Sequence, residues 1–257
     1  MLSKNKIKFI NSIKKKKYRE IHRCFFVEGE KLVDELINYD VQTLELFATV
    51  EWIEKNQSLL EKEKDTELTE ITENELKKIS SLSTPNKVLA IAEQPGHIFN
   101  LKEIQSELNL FLDHINDPGN LGTIIRIADW FGIKNVFCSH ESVDLFNPKV
   151  VQSSMGAIYR TKVHYVVSEE FLANCRQLEN FKIYGTFLEG NSIYEEKLNT
   201  NGLILMGNES HGISESLKAF VDTKLFIPNF AKRSASSESL NISAATAIVC
   251  SEFRRRV

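Results

Sequence analysis

Three short stretches carry side chains suited to one kind of chemistry. Asn120 and Arg126 lie six residues apart in Asn116-Asp117-Pro118-Gly119-Asn120-Leu121-Gly122-Thr123-Ile124-Ile125-Arg126, just after the apolar run Leu108–Leu112. Glu209 follows Gly207 at the end of Leu203-Ile204-Leu205-Met206. Ser239 and Asn241 open a run of small residues, Ile242 to Val249, a little after Leu225-Phe226-Ile227-Pro228. A guanidinium is planar and permanently charged, which suits a phosphate or an oxygen acquiring negative charge. Donors aimed at such an oxygen are a strong source of catalysis.

The elements that must position these side chains share one form: an apolar strand bounded by turn residues, a polar turn, then a helix. Asp117-Pro118-Gly119-Asn120 reads as a turn, with Pro presetting φ and Gly permitting a reversal. Asn120 then reads as the cap of a helix whose apolar side carries Leu121, Ile124, Ile125 and Ala128. That puts Asn120 and Arg126 at the carboxyl end of a strand, where open α/β sheets hold ligands. The plainer alternative is an ordinary strand-turn-helix in which Asn120 only caps and Arg126 is a solvated surface residue.

Taken together, the three stretches resemble the SpoU/TrmH family of RNA ribose methyltransferases, within the SPOUT superfamily. Asn120 and Arg126 match its first motif, Gly207 and Glu209 the Gly-x-Glu of its second. Ile227-Pro228 and Ser239-Leu240-Asn241 match its third. The amino-terminal Lys17-Tyr18-Arg19 and Phe25-Phe26-Val27-Glu28-Gly29-Glu30-Lys31-Leu32-Val33 are similar to the family's substrate-binding domain, so the likeness covers most of the chain.

The resemblance implies a SPOUT-type parallel-sheet α/β domain with a carboxy-terminal trefoil knot, after a smaller α/β domain resembling a ribosomal-protein fold. It implies S-adenosyl-L-methionine as cofactor, with Thr186, Gly207, Ile227 and Leu240 around the adenosine. Asn120, Arg126, Glu209, Ser239 and Asn241 become the catalytic set, RNA the partner, and a homodimer the assembly. A ribose 2′-hydroxyl is a poor nucleophile at neutral pH. Alignment of the reactants can therefore supply much of the rate. A guanidinium resists deprotonation, so Arg126 is expected to act electrostatically on the developing alkoxide and its phosphate rather than as a base. Two departures stand out. The loop 229–238 is longer than usual and lacks the glycine often found there, and the family often has an Arg where Gln152 or its neighbour lies.

Charge is unevenly placed. Residues 1–23 hold seven Lys and two Arg against one acid, Glu20, a balance of +8; the formal net of -3 leaves the rest at -11. A local basic segment on an acidic chain points to a polyanion site. Ile7, Phe9, Ile10 and Ile13 recur among the lysines at near-helical spacing, which predicts an amphipathic helix rather than a tail. Lys14, Lys15, Lys16, Lys17, Arg19 and Arg23 are its expected phosphate contacts, and Arg254-Arg255-Arg256 could add charge from the other end.

Organisation follows from the pattern of apolar runs. Residues 1–94 mix basic and acidic helices with short strands near 25–27, 44–48 and 88–92. Glu93-Gln94-Pro95-Gly96-His97 breaks the pattern, so 95–106 is expected as a linker and 107–257 as the catalytic domain. There, strands near 108–114, 135–139, 182–187, 202–207 and 223–227 alternate with helical stretches, the signature of a parallel α/β sheet.

Composition sets outer bounds. At 257 residues, 42% hydrophobic and 26% charged, the chain reads as one or two soluble globular domains. No apolar run reaches membrane-spanning length. Cys24, Cys138, Cys175 and Cys250 are too dispersed for a metal motif, and reduced buried thiols in a cytoplasmic protein are the simplest account. No metal is expected. Two other functional classes compete: a family member that binds RNA without catalysis, and a nucleotide-dependent oxidoreductase. The second is disfavoured because no Gly-x-Gly-x-x-Gly follows a strand.

Overall fold

A computed structural model describes residues 1–63, 66–230 and 239–255. The chain divides into two compact units, one formed by Met1–Gly96 with Asp144–Arg160, the other by His97–Val143 with Thr161–Val257.

In the first unit, α1 (Lys4–Ser12) and α2 (Lys16–His22) precede β1 (Cys24–Glu28), α3 (Glu30–Asn38) and β2 (Thr43–Ala48). Next come α4 (Val50–Lys55), α5 (Gln57–Leu60), β3 (Glu67–Glu70), α6 (Glu73–Ile79) and β4 (Val88–Glu93). The four strands form one sheet in the order β1-β4-β2-β3. The expected amphipathic helix is α1: Ser3 caps it by accepting from Lys6 N, and Ile10 and Ile13 are fully buried. Ile7 and Phe9 pack against the same core of Phe26, Phe47, Leu76, Ile79 and Ile91. Burying Ile10 and Ile13 contributes about 1.5–3 kcal/mol each, which makes α1 part of the fold. α6 starts at a reciprocal cap, Thr72 with Glu75. That Glu75 also accepts from Leu2 N, and these bonds hold its carboxyl down at about 2. β3 is a four-residue edge strand, mostly exposed, whose one apolar residue, Leu68, gives no alternation to mark it.

The second unit contains α7 (Leu101–Ser106), β5 (Leu108–Leu112), α8 (Pro118–Trp130) and β6 (Asn135–Ser139). The chain then contributes α9 (Pro148–Ser154) to the first unit before returning through β7 (Lys162–Val166) and α10 (Ser168–Cys175). β8 (Ile183–Ser192), β9 (Gly202–Met206), α11 (Glu215–Lys218), β10 (Thr223–Phe226) and α12 (Ile242–Arg255) complete it. Its sheet has the order β10-β8-β9-β5-β6-β7, with every pair parallel. The connection from β5 runs toward β6 and that from β9 toward β10, on opposite sides. The order therefore reverses between β5 and β9, and such a switch opens a crevice at the carboxyl ends. β7 carries a buried His164 in place of an apolar residue, which hides its alternation.

Two expected boundaries shift. The stretch 95–106 is no simple linker: α7 inserts Ile104 into the core of Phe111, Phe137, Leu203 and Leu205, and Phe99 and Leu101 pack beside it. Asp144–Arg160, inside the expected 107–257 domain, belongs to the first unit. There Asp144 pairs with Arg19, Phe146 lies 4.7 Å from Phe25 between ring centres, and Arg160 pairs with Glu35.

The four cysteines are buried and unpaired. Burial pushes the thiols of Cys138, Cys175 and Cys250 up to about 12. Among the described residues no helix is long and apolar enough to cross a membrane, and no group of three or more His, Cys, Asp or Glu could hold a metal.

Candidate active site

Local sequence builds the site on α8. Asp117, not Asn120, caps this helix: its Oδ1 accepts from Asn120 N at 2.8 Å, and Pro118 occupies the first helical position. Asp at the cap with Pro after it outweighs a turn at these residues. Asn120 therefore sits inside the first turn, and its carboxamide is released for other contacts. Leu121, Ile124, Ile125 and Ala128 are fully buried and fix the helix rotation.

Asn120 is the centre of a hydrogen-bond network. Its Nδ2 donates to Glu209 Oε1 at 2.8 Å. Its Oδ1 accepts from Asn241 Nδ2 at 3.0 Å and from Ser243 Oγ at 3.2 Å. Both lone pairs of Oδ1 and one hydrogen of Nδ2 are thus engaged, leaving one N–H outside this network. Asn241 also caps α12, its Oδ1 accepting from Ser243 N at 2.9 Å and Ala244 N at 3.3 Å. One residue from each motif, Asn120, Glu209 and Asn241, is therefore brought into contact. Ser243 completes the set and is 6% exposed. Only its place at the start of the small-residue run could have marked it in the sequence.

Arg126 stands apart from this network. It is exposed on α8 and makes no hydrogen bond or ion pair among the described residues. Ser239 and Leu240 are exposed where the described chain resumes, and the long loop singled out in the sequence falls, at 231–238, outside the described residues.

The loops after β5 and β9 are stitched together beneath the network. Buried Asp113 accepts from Ser214 N at 2.7 Å, and Asn208 Nδ2 donates to His114 O at 2.7 Å. Asn208 and Gly212 exchange both backbone hydrogen bonds, at 2.9 Å each, closing a tight loop around Glu209. This closure explains Gly207. A Cβ there would overlap the Gly212 and Ile213 backbone, with Gly212 O at 2.6 Å. The glycine is required by the close approach of the chain to itself.

Of the residues expected around a cofactor, Thr186 lies within β8, while Gly207 and Ile227 directly follow the adjacent strands β9 and β10. Thr186 Oγ1 donates to Leu205 O at 3.2 Å, so its hydroxyl is committed to the sheet. Leu240 is 51% exposed. Beside Ile227 opens a cavity of about 710 Å³, lined by Gly190, Asn191, Tyr194, Glu195, Phe226 and Pro228 among others. Its lining combines the aromatic Tyr194, Phe226 and Phe230 with the carboxylates of Glu195 and Glu196, and the volume is that of a small-molecule site. Thr186, Gly207, Ile227 and Leu240 are not among the residues lining this cavity.

The basic segment divides in two. Lys15, Lys16, Lys17 and Arg23 are exposed. Lys14 is half-buried, donating to Ser80 O at 2.8 Å beside the Phe26 ring; burial lowers its pKa and Glu28 partly restores it. Arg19 is 2% exposed, and its guanidinium bonds Ile13 O, Lys14 O and Asp144. The expectation that Arg19 contacts phosphate is corrected: its charge is satisfied within the fold. Arg254 likewise bonds Phe131 O and Gly132 O, and Arg255 pairs with Glu252; Arg256 lies outside the described residues.

An open parallel sheet with a carboxamide-carboxylate network at its switch point defines an α/β domain with a polar site at its strand ends. The profile of the SpoU rRNA Methylase family matches residues 107–251, and that of the MRM3-like substrate binding domain matches residues 4–90. The chain belongs to the SpoU rRNA methylase family. It is 27% identical over 252 residues to the 23S rRNA (guanosine(2553)-2′-O)-methyltransferase RlmP of Bacillus subtilis, covering 97% of this chain and 96% of that protein. The solved structure of a TrmH-family protein from Porphyromonas gingivalis matches with a TM-score of 0.88 at 38% identity, covering 100% of both chains. An AdoMet-bound rRNA methyltransferase from Sinorhizobium meliloti matches with 0.87 at 28% identity, over 100% of this chain and 97% of that one.

Proposed function

We propose that this protein is an S-adenosyl-L-methionine-dependent RNA methyltransferase that modifies a ribose 2′-hydroxyl of ribosomal or transfer RNA. The observation that carries the reading is the convergence of Asn120, Glu209 and Asn241 at the carboxyl edge of the sheet, in a chain of this family. The relative from B. subtilis acts on 23S rRNA, which favours ribosomal RNA here. The bound cofactor would supply a methyl group on a positively charged sulfur. Thr186, Gly207, Ile227 and Leu240, with the cavity beside Phe226 and Pro228, would hold it.

The chain's own residues then orient and neutralise. Glu209, Asn241 and Ser243 hold the Asn120 carboxamide in one orientation, leaving its remaining N–H for the substrate. Arg126, exposed and without an ion pair among the described residues, stabilises the forming alkoxide and the adjacent phosphate. Ser239 adds a hydroxyl where the chain enters α12. Lys15, Lys16, Lys17 and Arg23 bind RNA phosphates from the first unit, and Lys14 supports that arm from its half-buried position.

Two further features complete the reading. The β9–β10 connection crosses β8, which lies between them in the sheet, and the trefoil knot proposed for the carboxyl end rests on membership of the family. Trp130 is 85% exposed one turn beyond Arg126 on α8, and an exposed indole supports a homodimer face there. The protein is assigned to the cytoplasm, where its RNA would be found. Mapping ribose methylation across total RNA from cells with and without the gene tests the function. One 2′-O-methyl site lost with the gene supports it; identical maps overturn it. Sedimentation of the Trp130→Glu variant tests the dimer.

A further inference from the structure

The Gly-x-Glu motif assigns no role to the middle residue of Gly207-Asn208-Glu209. We propose that Asn208 is a positioning residue, whose side chain fixes Glu209 against Asn120 for methyl transfer. The inference rests on the methyltransferase reading and deepens it.

The argument is a count of hydrogen bonds on one half-buried carboxamide. Asn208 Nδ2 donates to His114 O at 2.7 Å, across from the loop after β9 to the loop after β5. Asn208 Oδ1 accepts from Ser210 N at 2.8 Å and His211 N at 3.2 Å, and lies 3.3 Å from His211 Nδ1. The backbone of Asn208 pairs in both directions with Gly212. The amides just after Glu209 are therefore turned inward onto Oδ1, so the Glu209 side chain is carried on a closed loop. His114 has a left-handed backbone, φ +55°, and the peptide plane that carries its carbonyl is held by Ile115 N, which donates to Ser142 Oγ at 3.1 Å; the carbonyl is thus held at a fixed point for Asn208.

This arrangement matters because Glu209 is exposed. An exposed carboxylate on an open loop would lose rotamer and backbone freedom on every encounter with Asn120. Asn208 removes the backbone share of that cost in advance, the usual way a supporting residue sharpens a site. It needs both functions of a carboxamide, donor to His114 and acceptor for two amides. Asp lacks the donor, Ser lacks the reach, and Ala lacks both.

The test uses the full-length protein, radiolabelled S-adenosyl-L-methionine and in vitro transcribed, unmodified 23S rRNA. Wild-type transfer is measured first; no transfer to this or any total-RNA fraction would remove the methyltransferase reading itself. With an active wild type, Asn208→Ala and Asn208→Asp are expected to lower kcat at least tenfold with KM for RNA changed less than twofold. The Asn208→Ala/Glu209→Ala pair should be no slower than Glu209→Ala alone, because the two act as a unit. Amide exchange at Ser210 and His211 is the independent readout: it is expected to quicken at least tenfold in Asn208→Ala, which removes the acceptor for both amides, and to stay near wild type in Asn208→Asp, which keeps it. It needs no RNA, and Asn208→Asp preserves shape if Asn208→Ala unfolds. A kcat within twofold of wild type in a folded variant, multiplicative losses in the pair, or unchanged exchange in Asn208→Ala would each overturn the assignment.

Discussion

Asn120 on α8 and Glu209 after β9 are 89 residues apart in sequence, yet Asn120 Nδ2 donates to Glu209 Oε1 at 2.8 Å. The bond spans the place where the sheet order reverses, and Asn241 and Ser243 close on the other side of the same carboxamide. The orientation is therefore dictated: nitrogen toward the carboxylate, oxygen toward two donors.

That polarity can be inverted by one atom. Asn120→Asp replaces the donor facing Glu209 with a second acceptor, so at neutral pH two carboxylates meet. We expect kcat/KM to fall about a hundredfold or more, the scale of losing one oriented donor. A shared proton would relieve the repulsion as pH falls, because like charges raise the pKa of one member of the pair. The activity of the variant relative to wild type should thus rise between neutrality and about pH 5. A pH-rate comparison with Asn120→Ala, which should show no such recovery, checks it.

Arg126 gives the opposite signature. Its side chain is exposed and unbonded among the described residues, so Arg126→Ala should leave the thermal midpoint within about 1 °C, as surface changes usually do. Methyl transfer should nonetheless drop about a hundredfold or more, with cofactor affinity retained. Arg126→Lys should recover little, since an ammonium lacks the planar fork. Single-turnover kinetics at saturating RNA, with calorimetry of the cofactor, distinguishes these outcomes from a merely solvated arginine.

Gly207→Ala should act through the loop. The added methyl would overlap Gly212 and Ile213, so the chain must move or strain. We expect a loss of about 1–3 kcal/mol in stability, typical of overpacking, together with at least tenfold weaker cofactor binding. Denaturant melts and calorimetry on the same preparation measure both. Weaker binding with unchanged stability would return Gly207 to direct ligand approach.

Much of this site is legible in the sequence because its signals are local. Strand, turn and helix alternate with distinct periods, and Asn120, Glu209 and Asn241 stand at the junctions. The depth of burial is not legible. Nothing local distinguishes the buried Arg19 from the exposed Lys17 two residues earlier; only the partner Asp144, 125 residues on, does so. The cap at Asp117 is masked by Asn120, although Asp-Pro is the stronger start signal. Strand β3 is hidden because an exposed edge strand needs no apolar alternation. The Asp144–Arg160 excursion depends on long-range packing that no periodicity encodes.

His164 supplies a pH-dependent element of stability. It is 5% exposed, lies against Phe137 and Phe99, and is 3.3 Å from Asn135 Oδ1 through Nε2. Burial, with nearby His97 and Lys162, lowers its pKa from 6.5 to about 4. A histidine whose folded pKa is depressed stays neutral in the fold while the unfolded chain takes up a proton. Its contribution is therefore complete above about 6.5 and is lost as pH falls toward about 4, with a slope of at most about 1.4 kcal/mol per pH unit. His97, also lowered mainly by burial, acts in the same direction. Urea melts from about pH 7 to about pH 4.5 should show a shallower acid slope for His164→Phe than for wild type, whatever the change in absolute stability.

The basic arm separates into RNA-facing charges and scaffold. Lys15, Lys16, Lys17 and Arg23 are exposed, whereas Arg19 is buried against Asp144 and Lys14 is tied to Ser80. Replacing Lys15, Lys16 and Lys17 with Gln should weaken RNA binding and flatten its salt dependence, because fewer counterions are released. The slope should flatten by about 0.7–0.9 for each phosphate no longer neutralised. Cofactor affinity and the melting curve should not move. Arg19→Gln should do the reverse, costing about 3–5 kcal/mol of stability by stranding Asp144, with no change of salt slope in the fraction that folds. Filter binding to one RNA across a salt series, beside a denaturant melt of each variant, reads both axes at once. If the lysines merely solubilise α2, the binding lines of triple variant and wild type will superimpose. If Arg19 reaches phosphate, its variant will shift the slope while leaving the melt intact.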